Sequence, residues 1–480
     1  MMKSFITKVY THWPSIIIGL LMIGYTAVLS YFSILRHDAF ASGFDLGNMD
    51  QTIWNTLNGR WFELSGEISR ISRFAIHADI VLLLFTPLYL IWSDVRMLLI
   101  AQSAIIASGA IPVYLLARHF LTRRDLSVAF VVIYLFNTGQ QWTNLYDFHP
   151  VIIAQVAIFW AIYCALKAKW RWFALCLILA MASKETVGLS VFVMGCLMCV
   201  FMRDKRVGVI TAFVGFVWFV AMTFIVMKHF STQNAHWALS WYTANEETVT
   251  EVFTVRNMFF RILESPEAHK YYELLLKPFG IIPLFGVPWV LGAIVEIVVN
   301  VMSNHGQMRS INLHYDALIL PWLLVGSMAA IGYVARFVAR YRRRSAEIMK
   351  YLLVTSILVM TLHTYYFYGP LPITPACWCY VYEVTEEDRA FEQALRAIPE
   401  GAVVSASGEI RPHITHREHA YTIPAATESA EFIAIINQNR AIGNYESKEY
   451  ETSLIKDLQN NGDHELVAAY THLYLFKRKP

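Results

Sequence analysis

The chain has 480 residues, of which 56% are hydrophobic and only 16% are charged. Soluble domains carry about 25% charged residues, so this composition excludes an ordinary soluble protein and indicates a membrane protein with many spans. The formal net charge of +3 gives no indication of a nucleic-acid partner, and its distribution is more informative than its sum.

Apolar segments of near-spanning length recur along the chain, and a bilayer requires about 20 residues per helix. The first segment starts at residue 14, after Lys3 and Lys8. It is longer than the roughly 7 to 15 residues of a signal-peptide core, so we expect a retained anchor. The shorter segment 79–92 contains Pro87 and predicts a half-embedded or re-entrant helix. With the first segment, about eleven spans are predicted, the others near 95–117, 126–142, 151–168, 172–184, 187–202, 207–227, 272–286, 288–302, 317–339 and 351–369.

Lys and Arg concentrate in the short clusters "KVYTHW", "ARHFLTRRD", "KAKWRW", "RDKR" and "ARYRRR". The positive-inside rule puts them on the cytoplasmic face, which predicts a multi-pass protein of the cytoplasmic (inner) membrane with its N-terminus inside. The segments "FDLGNMDQ", "RFAIHAD", "NLYDFHP", "SKET" and "SNHGQMRSINLHYD" then meet at the outer boundary. Ionisable groups near hydrocarbon are costly, so this gathering favours a functional site over a solvated rim.

From residue 383 the composition becomes that of a soluble domain. Helical spacing in "EDRAFEQALRAI" and "SLIKDLQNN" alternates with short strand patterns in "AVVSAS", "AYTIP" and "HLYLFKR". We therefore predict a transmembrane domain over 1–382, with a first outer loop at 35–94, and a small α/β domain over 383–480 on the outer face.

The stretch "FDLGNMDQTIWNTLNG" has the spacing of a surface helix, with Asp45 at the N-cap and Gly59 at the stop. Asp45 is either only a cap or a cap that also serves as a catalytic base. Asp50 falls on the polar face, where a solvated side chain is the alternative to a role in the site. The apolar stripe consists of Leu46, Met49, Ile53 and Leu57.

Other polar residues at the same boundary also have two interpretations. His77 and Asp79 are either supporting partners of a site or an N-cap for the next helix. Pro150 would open a span and leave Asp147 and His149 just outside it, although capping also explains Asp147. A further two residues, Lys184 and Glu185, form either an interfacial ion pair or part of the site.

Two motifs near the C-terminus leave their chemistry open. Cys377 and Cys379 lack the spacing of a zinc site, and their pairing cannot be deduced from sequence. His413, His416 and His419 have a three-residue spacing that suits one helical face. Surface histidines are the commoner outcome of such a pattern, and metal binding is the alternative.

The motifs "FDLGNMDQTIW", "HADIVLLLFTPLYLIW", "LYDFHP", "SKETVGL" and the late "NLHY" resemble those of a family of prokaryotic polytopic membrane proteins of unknown function. That family is similar in layout to the GT-C glycosyltransferases. The resemblance implies an all-α polytopic membrane fold and a first outer loop with a juxtamembrane helix and an acidic residue, which Asp45 matches. It also implies a polyprenyl-phosphate-linked sugar as donor.

The chemistry of an inverting sugar transfer suits these residues. An acceptor hydroxyl that attacks an anomeric carbon needs a general base, and desolvation near the membrane would raise the pKa of Asp45 toward that task. The departing lipid phosphate needs cations, for which Lys184, Arg309 and His314 are candidates. Asp45 and Asp50 are five residues apart on different helix faces, which leaves open whether a divalent cation (Mg²⁺ or Mn²⁺) is a cofactor.

Two other functions remain open at this point. The chain is alternatively a transporter or flippase, or a non-catalytic partner of envelope polysaccharide assembly. A transport pathway should leave ionisable residues at several depths of the membrane. Glu296 is the clearest charge within a span, whereas the other polar residues gather at one boundary, which favours a site.

Overall fold

The computed structural model describes residues 2–66, 70–202, 204–231, 240–243, 249–440 and 448–480. Arg203, in the predicted cytoplasmic cluster "RDKR", lies outside these residues. The described chain forms a large bundle of mostly apolar helices, followed by a smaller part built on a five-stranded sheet. A mostly helical polytopic fold with a small C-terminal α/β region was predicted, and at this level the fold class is confirmed.

Within the described residues, five helical segments are long and apolar enough to cross a membrane. They are His12–Asp38, Arg96–Leu121, Lys205–Phe230, Leu320–Ala339 and Arg343–Tyr368. Shorter apolar helices lie between them, at Ile80–Tyr89, Val151–Leu166, Trp170–Met181, Val187–Phe201 and Trp289–Met302. The predicted short helix at 79–92 is a 3-10 turn, Ile80–Leu84, that continues into one helical turn, Thr86–Tyr89.

Short connections join most of the described helices of the bundle along the chain. In chain order they are α1 (Met2–Asp38), α2 (Phe44–Leu57), α3 (Thr86–Tyr89), α4 (Arg96–Ser108), α5 (Ala110–Leu121), α6 (Arg124–Leu135), α7 (Thr138–Tyr146), α8 (Val151–Leu166), α9 (Trp170–Met181), α10 (Val187–Phe201), α11 (Lys205–Val220), α12 (Met227–Phe230), α13 (Val249–Val252), α14 (Val255–Phe259), α15 (Pro266–Leu276), α16 (Ile294–Met302), α17 (Leu320–Ala339) and α18 (Arg343–Tyr368).

Two predicted spans are each divided in the structure. The segment 126–142 is split between α6 and α7, because the Asn137 side chain accepts a hydrogen bond from the Gln140 N–H and starts a new helix. The segment 272–286 is split where α15 ends at Leu276 and Gly280 adopts a φ of +61°. Glycine tolerates that backbone region, which ends a helix.

Helix α2 differs from the surface helix that was predicted. The apolar residues Leu46, Met49 and Ile53 are buried as expected, but the polar residues of the opposite face are buried as well. Those residues are Asn48, Asp50, Gln51, Thr52, Asn55 and Thr56. The N-cap residue is Gly43, so the predicted N-cap role of Asp45 is wrong, and Asp45 lies in the first turn.

The C-terminal part contains a mixed sheet and two helices. A separate hairpin, β1 (Glu63–Ser65) and β2 (Arg70–Ser72), follows α2 near the start of the chain. The strands of the C-terminal part are β3 (Val404–Ala406), β4 (Ala420–Thr422), β5 (Phe432–Ile436), β6 (His464–Ala469) and β7 (Leu473–Arg478). Their order in the sheet is β4-β3-β5-β7-β6, with β3 parallel to β4 and β5, and β7 antiparallel to β5 and β6. The helices α19 (Glu386–Arg396) and α20 (Glu449–Asn460) complete this part.

Candidate active site

A carboxylate and an imidazole meet at the start of α2. The Oδ2 atom of Asp45 lies 3.7 Å from Nε2 of His149, which follows α7 in the motif "YDFHP". The other ring nitrogen of His149 lies 3.2 Å from the carbonyl oxygen of Asp147, and the His149 N–H donates to Gln102 at 2.8 Å. The Asp45 side chain is 29% exposed and the His149 side chain only 7%. Of the two groups, Asp45 is therefore the one that a substrate can reach.

The ionisation of Asp45 differs from the expectation. Burial raises the pKa of this carboxyl, but the adjacent His149, with smaller contributions from Arg73 and His77, outweighs burial. The net result is a pKa below the ordinary value, so the predicted rise is wrong. A carboxylate with this environment is ionised at neutral pH, so it is in the state that receives a proton, although the lowered pKa makes it a weaker base than a free aspartate.

His149 belongs to a stack of rings contributed by separate segments. Its ring lies 3.8 Å from that of His314, with 19° between the planes, and 5.2 Å from the ring of Tyr146. Burial, followed by the nearby charges of His149 and Lys184, lowers the pKa of His314 well below its ordinary value. His314 is therefore neutral at pH 7, a hydrogen-bonding group and not the cation that was predicted. Its buried Nδ1 atom has no partner among the described residues.

A second carboxylate in this region pairs with a different residue from the one expected. Glu185 Oε1 lies 3.1 Å from Nδ1 of His77, and Oε2 accepts from the Ala78 N–H at 3.1 Å. Burial raises the pKa of Glu185, but the charge and hydrogen bond of His77 outweigh it and lower the pKa to about 2. Glu185 thus pairs with His77 and not with its neighbour Lys184.

Lys184 is half-buried beside this pair. Within the part of the chain that the structure describes, its ammonium has neither a hydrogen bond nor an ion pair. It is near enough to affect the pKa of both Glu185 and His314. A desolvated cation without a carboxylate partner is suited to an anionic ligand.

Asp147 anchors the loop that leads into α2. Its Oδ1 lies 3.1 Å from the guanidinium of the buried Arg36, and its Oδ2 accepts from the Gly43 N–H at 2.9 Å. Arg36 also donates to the carbonyl oxygens of Leu145 and Tyr146. Asp147 therefore fixes the end of α1 and the start of α2 relative to His149. Sequence reasoning missed Arg36, although an arginine at the end of an apolar span is a signal in itself.

Two other predicted site residues, Asp50 and Asp79, are each held by buried contacts of their own. Asp50 is fully buried and not solvated: Tyr89 donates to it at 2.5 Å, and His416 Nε2 lies 3.1 Å away. Asp79 pairs with the buried Arg73 at 2.5 Å.

Arg309 was predicted to bind the phosphate, but its contacts are with residues other than those around Asp45. It lies in a 3-10 turn, Gly306–Arg309, and its guanidinium donates to the carbonyl oxygen of Ser303. The charges that influence it are those of Glu267, in α15, and Arg261, in the π-helical turn Phe260–Glu264. Lys184 is therefore the better-placed cation.

The histidines of "RPHITHREH" lie on a 3-10 turn, Arg411–His413, and the loop before β4, so the predicted single helical face is wrong. His413 contacts Glu392, His416 contacts Asp50 and His419 contacts Tyr421. No group of three metal-ligating side chains lies within the described residues, and we assign no metal ligand.

Cys377 and Cys379, whose pairing the sequence left open, form a disulfide with each other.

Comparison with solved structures identifies the architecture. The fold is similar to ArnT from Cupriavidus metallidurans bound to undecaprenyl phosphate, with a TM-score of 0.57, 11% identity, and coverage of 95% of this chain and 97% of that chain. For ArnT in the apo state the TM-score is 0.54, with 11% identity and 98% of each chain covered. These likenesses confirm a GT-C-like layout.

Sequence comparison gives the family. No curated protein matches the chain. A family of predicted membrane proteins, DUF2079, matches residues 36–473, which is most of the chain. The match begins at Arg36 and includes every residue of the cluster around Asp45. The chain belongs to the DUF2079 family of predicted membrane proteins.

Proposed function

We propose that this protein is a membrane glycosyltransferase that moves a sugar from a polyprenyl-phosphate donor to an acceptor, with inversion at the anomeric carbon. One observation carries the proposal: Asp45, a partly exposed carboxylate, lies beside His149, whose ring stacks on His314, and Lys184 lies within electrostatic range of His314. The Lys184 ammonium has neither a hydrogen bond nor an ion pair among the described residues. The Asp45 carboxylate is suited to a general base and the Lys184 ammonium to a lipid phosphate. The similar fold of ArnT, solved with undecaprenyl phosphate bound, supports this class of donor.

The proposed reaction is a single displacement. The acceptor hydroxyl oxygen forms a bond to the anomeric carbon while the bond from that carbon to the phosphate oxygen breaks. The electron pair leaves with the polyprenyl phosphate, and the hydroxyl proton passes to Asp45. Lys184 stabilises the negative charge that develops on the leaving phosphate. The neutral His314 supplies a hydrogen bond to the donor through the ring atom that has no partner in the described chain.

We place the reaction at the outer face of the cytoplasmic membrane, with 383–480 as an α/β domain on the same side as Asp45. The positions of the basic clusters support this orientation. The disulfide between Cys377 and Cys379, just before that domain, supports it further. Disulfides persist in oxidising compartments outside the cytosol.

The position of Glu296 favours a site over a transport pathway. Glu296 was the clearest charge within a predicted span, and a conduit would need such charges at several depths. Its side chain accepts from Ser190 at 3.0 Å and lies within electrostatic range of Lys184 and Glu185. We therefore assign Glu296 to the surroundings of the same site.

Reconstitution with defined lipids tests the proposal. The purified protein in nanodiscs is titrated with undecaprenyl phosphate and followed by native mass spectrometry. Transfer is followed as release of undecaprenyl phosphate from undecaprenyl-phosphate-linked sugars in the presence of hydroxyl-bearing acceptors. We expect binding and turnover by the native protein, weaker binding after Lys184→Ala, and binding without turnover after Asp45→Asn. Lys277→Ala is the control, because Lys277 pairs with Glu273 elsewhere. Binding by the native protein without turnover of any donor would contradict the transferase and favour a transporter or an assembly partner.

A further inference from the structure

Helix α2 is held in place by a buried arginine of the C-terminal part. Arg411 is 0% exposed, and its guanidinium donates to the side-chain oxygens of Asn48 and Gln51, the second at 2.9 Å. It also donates to the carbonyl oxygens of Ser65 at 2.5 Å and Ala420 at 3.2 Å. The planar guanidinium group of Arg411 therefore connects α2, β1 and β4.

The surrounding contacts show how closely the two parts approach. A Cβ atom on Gly47 would lie 3.2 Å from the Thr415 side chain and 3.3 Å from that of Arg411, so a larger residue there would require these neighbours to shift by a few tenths of an ångström. Thr415 donates to Asp50, the carboxylate that His416 also contacts. The polar face of α2 is thus buried against the turn that carries Arg411.

A second attachment lies just before α2. Phe40 is fully buried within the apolar core of the C-terminal part, 5.6 Å from the Phe391 ring and 4.1 Å from the His413 ring. Its φ of 52° is unusual for a bulky residue and is maintained by this packing. The short loop from Phe40 to Gly43 is therefore fixed at one end by the C-terminal core and at the other by Asp147.

We propose that Arg411 is a positioning residue for Asp45, a role that rests on the proposed function. The hydrogen bonds of the Arg411 guanidinium set the rotation of α2 about its axis and its position along that axis. Both determine the distance from Asp45 to His149. A displacement of about 1 Å in a catalytic group can lower turnover about 100-fold. Lysine cannot replace arginine here, because a single ammonium cannot span the separate acceptors on α2 and β1.

Arg411→Lys in the full-length protein in nanodiscs tests this role, with Arg396→Lys as the matched control. Arg396 lies on α19 with a 64% exposed side chain. For Arg411→Lys we expect kcat to fall about 10- to 100-fold, while KM for the undecaprenyl-phosphate-linked donor stays within about threefold, because Lys184 and not α2 holds the phosphate. Hydrogen exchange should accelerate in residues 44–57 and not in β3, β5 or β7. Arg396→Lys should change none of these.

Asn48→Ala removes an acceptor on α2 and leaves the C-terminal sheet as it is, so it should reproduce the loss of kcat. Native kcat in Arg411→Lys would overturn the proposal, as would faster exchange throughout the sheet, which would mean a purely structural role. If the native protein transfers no sugar, the proposed function fails. The hydrogen-exchange measurement does not depend on sugar transfer. Unchanged exchange of residues 44–57 in Arg411→Lys would therefore show separately that Arg411 does not hold α2 in place.

Discussion

The carboxylate of Asp45 faces the imidazole of His149 at 3.7 Å, and the His149 ring stacks on His314 at 3.8 Å. Three segments that are remote in sequence thus meet around one partly exposed carboxylate. The helix that carries Asp45 is capped by Gly43, so the start of the helix does not depend on Asp45 itself. Because Asp45 is not the N-cap, its carboxylate can be replaced without a large loss of stability, and its role can be tested.

Replacing Asp45 should abolish transfer and leave the protein folded. Asn cannot accept the proton of the acceptor hydroxyl, so we expect Asp45→Asn to lower turnover by about two orders of magnitude or more. Asp45→Ala should be as inactive and nearly as stable, because Gly43 is the cap. Turnover and the unfolding temperature in detergent measure both effects. An active Asp45→Asn protein would remove the main support for the transferase.

Replacing Asp50 should act on stability, because this residue is fully buried with Tyr89, Thr415 and His416 around it. Asp50→Asn leaves buried donors with a poorer acceptor, which costs about 1 to 3 kcal/mol. We expect a lower unfolding temperature and faster hydrogen exchange in α2. Unchanged stability would show that these contacts contribute little to the attachment of α2.

Lys184 and Arg309 should differ in their effect on the donor. A charge-assisted hydrogen bond contributes about 1.5 to 3 kcal/mol, so Lys184→Ala should weaken binding of undecaprenyl phosphate about tenfold or more. Arg309→Ala should have a smaller effect, since Arg309 donates to Ser303 and faces Glu267. Native mass spectrometry of both variants measures the difference. A larger loss in Arg309→Ala would reverse the assignment of the phosphate ligand.

The attachment of α2 should weaken as pH rises. Burial lowers the pKa of His416, but the negative charge of Asp50 outweighs burial and the net pKa is raised above 6.5. The charged pair is therefore complete below pH 6.5 and is lost as pH increases through the raised value. We expect the unfolding temperature to fall over that range and hydrogen exchange in α2 to accelerate.

The groups around His416 make this prediction specific. Asp94 adds to the rise in its pKa, and Arg417 opposes it. His416→Gln should remove the pH dependence, whereas His419→Gln, which alters a contact with Tyr421, should keep it. A His416→Gln protein with the same pH profile as the native one would contradict the assignment.

The buried pair of Arg36 and Asp147 should be important for stability. Asp147→Asn leaves the Arg36 guanidinium in a buried site without its carboxylate, which costs about 3 to 5 kcal/mol. The double variant Arg36→Met with Asp147→Asn should recover part of that loss, because no charge is left buried. Denaturant unfolding of Asp147→Asn, Arg36→Met and the double variant gives the coupling between the two residues. Additive losses would contradict a direct pair.

Hydropathy was sufficient to predict the class of the protein, and the polar residues beside the apolar segments include most of those in the candidate site. Long apolar segments predict membrane helices from their own composition, and ionisable residues beside them are costly, which favours a functional site there. That reasoning selected Asp45, Asp147, His149, Lys184, Glu185, His77 and His314, which the structure brings together. The helix and strand patterns after residue 383 were likewise readable, since they depend on local spacing.

The partner of each of these residues could not be predicted from the sequence and became clear from the fold. Asp50 has the spacing of a solvated residue, yet it is buried because Thr415 and His416 come from a distant part of the chain to cover it. Arg36 and Arg411 carry no local motif, and their importance arises from acceptors contributed by remote segments. The ionisation of Asp45 follows the same rule: burial alone would raise its pKa, and the adjacent His149 reverses the direction. Periodicity and hydropathy describe neighbours along the chain, whereas pairing and pKa depend on neighbours in space.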